Sequence, residues 1–450
     1  MLTTPIFTRL LTTAEYGQFN VFYSWLGIAT IFVTLNLSLG VYGQGLVKFE
    51  KDRSVFVSSL QGLSALLVVL WTVIYLLTHS FWNSFFKLTT VQMLAMLIMI
   101  WTSAVFQFWS AEQRVQYQYK GLVGLTILVS ILKPLIGIIF VVLAEDKVTA
   151  RILAMVLVEI ISYTGLFIVQ MKRGRVFYSA KYWKYAILFN IPLIPHYLSQ
   201  VVLNSSDRIM ISSMVGDSQA GIYSLAYSLS SIMLIFNTAL MQTISPWIYQ
   251  KIKSKRIKEI ESVAYTSLVL IATVNICLIL LAPEAVAIFA PNAYHEAIYV
   301  IPPVALSVYF MYSYDLFAKF AFYYEKTKLI MLASCIGAAL NVILNYIFIG
   351  MFGYMAAGYT TLACYIIYSL AHFILMNKIC DNYCEGIKPY DVKIILLITV
   401  IFLVIGFILL FTYDYPFVRY GIIVITAGVA VIKRQYIINT IKKMLSLKKG

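Results

Sequence analysis

Long apolar segments recur along the chain, and the polar and charged residues collect in the short gaps between them. Most segments reach the roughly 20 helical residues that a hydrocarbon core about 30 Å thick requires. Continuous apolar runs indicate helices, because the strands of a membrane barrel would alternate apolar and polar residues. The pattern therefore predicts an all-α, polytopic membrane protein. The thirteen predicted spans are 18–46, 54–78, 91–111, 121–143, 149–170, 185–203, 220–244, 262–281, 297–323 (which Pro302 and Pro303 could break), 327–349, 355–377, 392–412 and 418–433.

The composition also belongs to the membrane class. Of the 450 residues, 61% are hydrophobic and 12% are charged, and the mean hydropathy is +0.85, whereas a soluble domain averages about 25% charged residues. The net charge of +15 would suit a nucleic-acid partner. These cations, however, lie in short gaps beside apolar spans, where they orient the spans and meet anionic lipid. We therefore expect the lipid bilayer, and not nucleic acid, as a partner.

Lysine and arginine concentrate in every second gap. The poorer set of gaps holds six of the 34 cations, Arg9, Lys87, Lys147, Arg151, Arg208 and Arg419, and the richer set holds 26. Cytoplasmic loops carry the excess of Lys and Arg. The richer set, which includes the C-terminal tail, is therefore predicted to be cytoplasmic.

The N-terminal residues do not complete this series of spans. Thirteen spans with a cytoplasmic C-terminus put the N-terminus outside, and residues 1–11 are too short to cross. The run PIFTRLL at residues 5–11 reads like the end of a further helix. We expect that the first helix is largely missing, so that the natural start lies upstream or the chain is truncated.

The gaps divide the spans into two equal groups. Counting the missing helix, six helices fall in residues 1–184, six in 185–377 and two in 378–450, followed by the basic tail. Two six-helix lobes predict parallel repeats about an axis along the membrane normal, a common plan among transporters. A weak sequence similarity between the two halves agrees with such a repeat. Thr8-Arg9 precedes Glu15-Tyr16-Gly17 in the first half, and Asp207-Arg208 precedes Gly221-Ile222-Tyr223 in the second.

Charged residues inside spans are costly and are therefore candidates for function. Lys133 precedes Pro134, and a proline inside a helix leaves the backbone carbonyl one turn back without its hydrogen bond. A charged residue beside such a carbonyl favours a role for Lys133 in a polar lumen. Glu159 has an equally good structural explanation, a hydrogen bond to a neighbouring helix. Asp315 and Lys319 are four residues apart on one helix, a spacing that also fits a purely structural pair.

The span 185–203 and its outer end are unusually polar. Prolines in a span bend it and expose carbonyls that only a cavity or a neighbouring helix can satisfy, so this helix predicts either a gate or a static kink. His196 could instead be a buried hydrogen-bonding residue, and Asp207, like Arg9 and Arg208, could simply anchor a helix end. The candidate gate or lumen residues are Pro192, Pro195, His196, Asn204 and Asp207.

No enzyme motif is present in the sequence. There is no Gly-rich phosphate loop and no HExxH pair, and the four histidines do not assemble a Ser/His/Asp set. The five cysteines form no CxxC pair, and Cys380 with Cys384 is predicted to share a cytoplasmic loop, where thiols stay reduced. We expect no catalytic residue, no metal site and no cofactor.

Two motifs resemble those of polysaccharide flippases, the O-antigen and capsule repeat-unit transporters of the multidrug/oligosaccharidyl-lipid/polysaccharide (MOP) superfamily. PIFTRLLTTAEYGQFNVFYSW at residues 5–25 is similar to the end of that family's first helix and the start of its second. IPLIPHYLSQVVLNSSDRIMISSMVG at 191–216, followed by AGIYSLAYSLS at 220–230, carries the more specific Pro-His, Asp-Arg and Gly-Ile-Tyr order. The chain departs from the family in its first helix.

The resemblance implies a function. It implies transfer of undecaprenyl-diphosphate-linked oligosaccharides across the bacterial cytoplasmic membrane, by alternating access between two lobes, for O-antigen (lipopolysaccharide), capsule or exopolysaccharide synthesis. The implied partners are this lipid-linked substrate, the bilayer and polysaccharide-assembly proteins, and two lobes in one chain favour a monomer. Arg9 and Arg208 match family motif positions and would attract the diphosphate, together with Lys133 and Lys319. Glu159 or Asp315 could carry a coupling ion, since a buried carboxylate can titrate near neutral pH.

Two other functional classes stay open on the sequence. An ion-coupled small-molecule antiporter of the multidrug type shares the two-lobe plan, but it would favour acidic cavity residues, and the embedded set here leans basic. A polysaccharide polymerase or ligase would need a substantial external loop, whereas all gaps are short. A scaffold role leaves the embedded charges unexplained.

Overall fold

The computed structural model describes residues 3–432 and 434–435. Most of these residues are helical, and none of them forms a β-strand. The predicted C-terminal tail from residue 436 on, with its lysines, lies outside the described residues. In chain order the helices are α1 (Thr4–Leu10), α2 (Thr13–Thr34), α3 (Val41–Lys48), α4 (Arg53–Phe86), α5 (Thr90–Val115), α6 (Tyr119–Leu143), α7 (Lys147–Gly174), α8 (Ala180–Asn190), α9 (Ile194–Met214), α10 (Asp217–Ser230), α11 (Ile232–Lys253), α12 (Ile260–Leu280), α13 (Ala282–Phe289), α14 (Ala297–Tyr323), α15 (Thr327–Phe352), α16 (Ala356–Tyr383), α17 (Val392–Leu410) and α18 (Pro416–Ile432).

The all-α, polytopic prediction is confirmed. Eleven helical segments of the described chain are long and apolar enough to cross a membrane. Helix α2 is 22 residues long but is not among them, and α18 is apolar over a shorter stretch, Pro416–Gly428. The eleven segments are α4, α5, α6, α7, α8 with α9, α10 with α11, α12, α14, α15, α16 and α17.

The first predicted span, 18–46, is wrong as a single helix. The chain breaks after α2, where Leu35 and Asn36 both adopt a left-handed conformation with φ of 51°. Gly40 has φ of 65°, a value that glycine adopts without steric cost. The side-chain amide of Asn190 donates to the carbonyls of Leu35 (3.0 Å) and Asn36 (2.8 Å), so the exposed backbone of the break is satisfied. Average hydropathy does not reveal such a break, because leucines continue through it at Leu35, Leu37 and Leu39.

The prolines affect the other spans to different degrees. Pro192 lies in a short 3₁₀ turn, Ile191–Leu193, that separates α8 from α9. Pro302 and Pro303, by contrast, lie inside α14, which runs unbroken from Ala297 to Tyr323. Helix α6 likewise continues through Pro134. A 3₁₀ turn therefore interrupts the span 185–203, whereas the helix over 297–323 is not broken by its prolines.

The chain divides by contacts into two compact units. Unit A comprises residues 9–212, and unit B comprises residues 3–8 together with the described residues from Ser213 onward. This division describes compactness and not internal symmetry, so the parallel repeat and the lobe boundary at residue 184 stay predictions.

Each unit has an apolar core of its own. In unit A, Phe22, Ile100 and Ile152 are almost fully buried in one cluster, and Tyr42 and Phe108 are fully buried in another. In unit B the central element is α14, because 89% of its most apolar stretch is buried. In α6 and α17 the corresponding share is 17%, which marks these two helices as the most peripheral.

Candidate functional site

A buried ion pair joins three helices of unit A. The Nζ atom of Lys133 on α6 lies 2.6 Å from Oε1 of Glu159 on α7, and the hydroxyl of Thr102 on α5 donates to the other carboxylate oxygen. Glu159 is 2% exposed, whereas the Lys133 side chain is 23% exposed. The carboxylate is thus enclosed, while part of the Lys133 side chain remains accessible. The sequence indicates these two residues separately, and the structure brings them together.

This arrangement satisfies a charge that would otherwise be very costly. An ion transferred from water into the protein interior loses several kcal/mol of solvation, and an excellent partner geometry is needed to offset that loss. Glu159 meets this requirement with one charged and one hydroxyl donor. Thr102 could not have been assigned to the site from sequence, because a threonine in an apolar helix usually bonds its own backbone, as Thr102 also does to the Ile98 carbonyl at 3.0 Å.

A second buried carboxylate was missed by sequence reasoning. Glu112 is 1% exposed and pairs with Arg173 on α7. Its Oε2 accepts from Nε2 of Gln170 at 2.9 Å, and Gln170 in turn accepts from Gln61 of α4 at 2.6 Å. The predicted span ends at residue 111, but α5 continues to Val115. Glu112 therefore lies on the helix, and this network ties together α4, α5 and α7.

Unit B also contains an ion pair within one membrane-spanning helix and a second pair that involves a buried arginine. The Nζ of Lys319 lies 2.6 Å from Oδ1 of Asp315, one turn earlier on α14, and their side chains are 11% and 34% exposed. Arg419 of α18, which is 4% exposed, pairs with Glu284 of α13. The sequence assigns Arg419 only to an outer gap, so this pair was not anticipated.

Helix α9 carries the predicted gate residues Pro195, His196, Asn204 and Asp207. The carbonyl of Pro195 accepts from the Ser199 hydroxyl at 2.6 Å, and the Asn204 side chain donates to the backbone of its own helix at 2.7 Å. His196 is half-buried, and no described group bonds its Nδ1. Asp207 is 1% exposed. Four of the five predicted gate or lumen residues therefore lie on α9, with different degrees of burial, and Pro192 lies in the turn before it.

The two motif arginines lie near the ends of helices. Arg9 is exposed in the last turn of α1. Arg208 of α9 donates to the Asn204 carbonyl at 2.9 Å, one turn back. Among the other predicted outer cations, Lys147 donates to the Leu10 carbonyl at 3.1 Å, and the Arg151 guanidinium lies 3.5 Å from the centre of the Phe19 ring. Several outer cations thus have structural contacts of their own.

One histidine is buried without a hydrogen bond. His372 of α16 is 1% exposed, and neither ring nitrogen has a partner in the described part of unit B. Its ring packs against Tyr368 and Tyr314, at centroid separations of 4.6 Å and 5.5 Å. The sequence identifies this residue only as one of four histidines.

The described residues contain no group of three or more His, Cys, Asp or Glu that could hold a metal ion. The five cysteines are free thiols. Cys380 and Cys384 do not share a loop, because α16 extends to Tyr383 and includes Cys380. The Cys384 Sγ lies 3.4 Å from the Tyr324 hydroxyl.

Comparison with known families assigns the chain. A model of the family described as "Polysaccharide biosynthesis protein" matches residues 1–252, more than half of the sequence. The chain belongs to the polysaccharide biosynthesis protein family. A second family model, MatE, matches residues 192–347.

Curated relatives of this family member include two proteins of Haemophilus influenzae. "Lsg locus putative protein 1" is 26% identical over 211 residues, which cover 44% of this chain and 51% of that protein. An "Uncharacterized membrane protein" is 23% identical over 199 residues, which cover 43% and 48%. The chain spans about half the length of the curated relatives it matches.

Solved structures share the fold of this polysaccharide biosynthesis protein family member. An inward-facing multidrug resistance MATE family transporter of the MOP superfamily superposes with a TM-score of 0.65 at 12% identity, covering 86% of this chain and 95% of that one. The lipid II flippase MurJ, inward closed, gives 0.63 at 15% identity, covering 94% and 98%. The expected fold is confirmed, because this chain shares it with both structures.

Proposed function

We propose that the protein is a flippase that moves an oligosaccharide linked to undecaprenyl diphosphate across the bacterial cytoplasmic membrane. The glycan would feed O-antigen (lipopolysaccharide), capsule or exopolysaccharide assembly. Two findings support this proposal. The chain belongs to the polysaccharide biosynthesis protein family, and its fold is shared with a lipid II flippase.

The observation that carries the proposal is the Lys133–Glu159 pair. A lipid diphosphate is an anion that must leave water, and a fixed cation in the membrane can replace part of its hydration. The Lys133 side chain is 23% exposed, and its ammonium already has a carboxylate partner at 2.6 Å. A phosphate oxygen that reaches Lys133 would replace Glu159 as the counter-ion. The ammonium would then stay paired in the membrane throughout the exchange, while the enclosed Glu159 would lose its cation.

The same pair offers a means of coupling. Protonation of Glu159 would weaken its hold on Lys133 and free the ammonium for the substrate, and deprotonation would favour substrate release. Asp315 and Lys319 repeat this combination of acid and base within unit B. We propose that Arg9 and Arg208 add positive charge along the path and that α9 acts as the gate, through Pro192, Pro195, His196, Asn204 and Asp207. Alternating access would expose the path to each side in turn.

The charge asymmetry of the loops supports the orientation. With 26 cations in one set of gaps and six in the other, the positive-inside rule places the C-terminus in the cytoplasm. Polysaccharide-assembly proteins are the partners that such a flippase would serve, and the two units of one chain are consistent with a monomer.

A multidrug-type antiporter is the second candidate, because the MatE model matches residues 192–347 and a MATE transporter shares the fold. The two candidates differ in the charge that the lumen must accept. Cationic drugs would be repelled by Lys133, whereas a diphosphate would be attracted. Resistance to cationic drugs conferred by the protein, without any effect on glycan export, would favour the antiporter.

The test is a strain that lacks the protein, in which lipid-linked repeat units are assayed in each leaflet. We expect these units to accumulate in the cytoplasmic leaflet and the wild-type gene to restore export. Lys133→Ala should reduce export about tenfold or more, which corresponds to loss of roughly 1.4 kcal/mol of interaction. Lys120→Ala removes an exposed lysine of the same helix and is the matched control. Unchanged export in the null strain, with no paralogue present, would exclude the proposed function.

A further inference from the structure

An apolar cavity of about 330 Å³ lies within unit A, between α2, α4 and α5. Seven of the fourteen side chains that line it are aromatic, and none of the fourteen is charged. Cavities lined in this way stay dry and accept apolar molecules. The lining includes Trp25, Ala29, Phe32, Tyr75, Trp82 and Ile100.

The end of α4 is held over this cavity by specific hydrogen bonds. Helix α4 has a non-helical residue, Thr78, with φ of −128° and ψ of 25°, and the segment after it contributes Trp82 to the lining. The Trp82 ring nitrogen donates to the Thr78 hydroxyl at 2.9 Å. The Tyr75 hydroxyl donates to Asn83, whose amide donates to Thr90 of the next helix, both at 2.9 Å. These bonds fix the positions of two of the rings that line the cavity, Tyr75 and Trp82.

The cavity lies beside a surface that faces hydrocarbon. Phe32 and Phe85 line it, yet they are 45% and 56% exposed. Along the membrane-spanning part of α4, Val69, Leu70 and Val73 are also exposed. In a bilayer, such a surface meets lipid chains and excludes polar ligands, because there is no water to solvate them. The occupant that can reach this opening is therefore a hydrocarbon chain.

We propose that the cavity binds the polyprenyl chain of the lipid carrier. This inference rests on the proposed function. It assigns a binding site to the polyprenyl chain, the part of the substrate that stays in the hydrocarbon during transport. Isoprenoid units are flat and unsaturated, so they present faces that aromatic rings and thioethers pack against well. The seven rings are joined in the lining by Met93 and Met96. A saturated acyl chain offers no such faces.

The cavity lies in the same unit as the Lys133–Glu159 pair, which is proposed to contact the diphosphate. Its position therefore suits the polyprenyl chain of the same lipid. The lining on α5 ends at Ile100, two residues before Thr102, which bonds Glu159. Two residues correspond to about 3 Å along a helix. A carrier chain held in the cavity would therefore lie in the same unit as the Lys133–Glu159 pair and close to it in depth along α5.

The experiment uses the full chain in phosphatidylglycerol nanodiscs and a farnesyl diphosphate probe that carries a benzophenone at its chain end. After illumination, mass spectrometry identifies the labelled peptides. We expect label on α2, α4 or α5, displaced by undecaprenyl phosphate and not by added phosphatidylglycerol. Ala29→Phe, which fills the cavity, should reduce labelling at least tenfold, and Ala29→Leu should reduce it less. Leu128→Phe, on the exposed face of α6, should leave labelling unchanged.

Three outcomes would overturn the inference: label confined to other helices, equal displacement by phosphatidylglycerol, or full labelling of a folded Ala29→Phe protein. The wild-type labelling map stands even if one variant fails to fold. Binding and transport are scored separately. If the probe labels the cavity but the protein does not flip lipid, the proposed function is wrong and the binding site for the polyprenyl chain is retained. If the protein flips lipid but the cavity is not labelled, only the proposed binding site is wrong.

Discussion

Lys133 and Glu159 lie 26 residues apart on neighbouring helices, with their charged atoms separated by 2.6 Å. The two residues differ sharply in accessibility, since the acid is enclosed and the base is partly open. Because the Lys133 side chain is the more exposed of the two, it is the partner that a second anion would meet first.

This relationship predicts non-additive effects on stability. Glu159→Gln leaves a partly buried ammonium without its counter-ion, and Lys133→Met leaves a buried carboxylate without its cation. Each should lower the free energy of unfolding by about 1–4 kcal/mol, and the double variant should lose less than the sum, because both charges are then gone. Thermal unfolding in detergent micelles measures all four proteins. Strictly additive losses would mean that the two residues do not interact.

The Glu112 network gives a second stability prediction. Arg173→Ala removes the cation from a carboxylate that is 1% exposed and keeps only its amide partners. We expect a loss of about 1–4 kcal/mol in the free energy of unfolding. Lys172→Ala, at the exposed neighbouring position, should change stability by less than about 0.5 kcal/mol. Similar values for the two variants would show that Arg173 is an ordinary surface residue.

Two nearby glycines should respond oppositely to alanine. Gly40 has φ of 65°, and an added Cβ would lie 2.7 Å from the Tyr197 hydroxyl oxygen, so Gly40→Ala should cost about 1–3 kcal/mol. Gly43 lies inside α3 with nothing within 4 Å of an added Cβ, so Gly43→Ala should stabilise by up to about 1 kcal/mol. Combining Gly40→Ala with Tyr197→Phe should recover the part of the loss due to the clash. Chemical denaturation of the wild type and these three variants checks this.

A surface pair in unit B predicts a pH dependence. Lys255 and Glu385 join two loops, with the Nζ atom of the lysine 2.6 Å from Oε1 of the glutamate. The hydrogen bond between them raises the pKa of Lys255 above its usual 10.5 and lowers the pKa of Glu385 below its usual 4.5. The glutamate's contribution is present above its unfolded pKa and is lost as pH falls through the lower, folded value. The lysine's contribution is present below 10.5 and is lost as pH rises through its higher, folded value.

The Lys255–Glu385 pair should therefore hold the two loops together across the neutral range. Hydrogen exchange of residues 254–256 and 384–387 should speed up below the folded pKa of Glu385 and in high salt, and Glu385→Gln should show the faster rates already at pH 7. The effect should be local and small, since both groups are exposed. Exchange that is the same in Glu385→Gln and wild type at pH 7 and low salt would contradict the prediction.

The sequence predicted what depends on local pattern. Apolar length identified the eleven segments of the described chain that can cross a membrane, but it also predicted spans at 18–46 and 418–433, which are not among those eleven. A four-residue spacing placed Asp315 beside Lys319 because both lie on one helix. Contacts between distant segments could not be inferred in this way, which is why Glu159 was not paired with Lys133. The network around Glu112 was missed because hydropathy ended the helix too early. The roles of these residues in transport stay predictions.

The corner after α2 has a consequence for the order of biosynthesis. Its carbonyls at Leu35 and Asn36 are bonded by Asn190, which follows them by 155 and 154 residues. At roughly 5–20 residues per second, a ribosome would need about 8–30 s to supply that side chain. The first helices of unit A must therefore wait in the membrane with this corner incomplete, and only the arrival of α8 from the ribosome closes it.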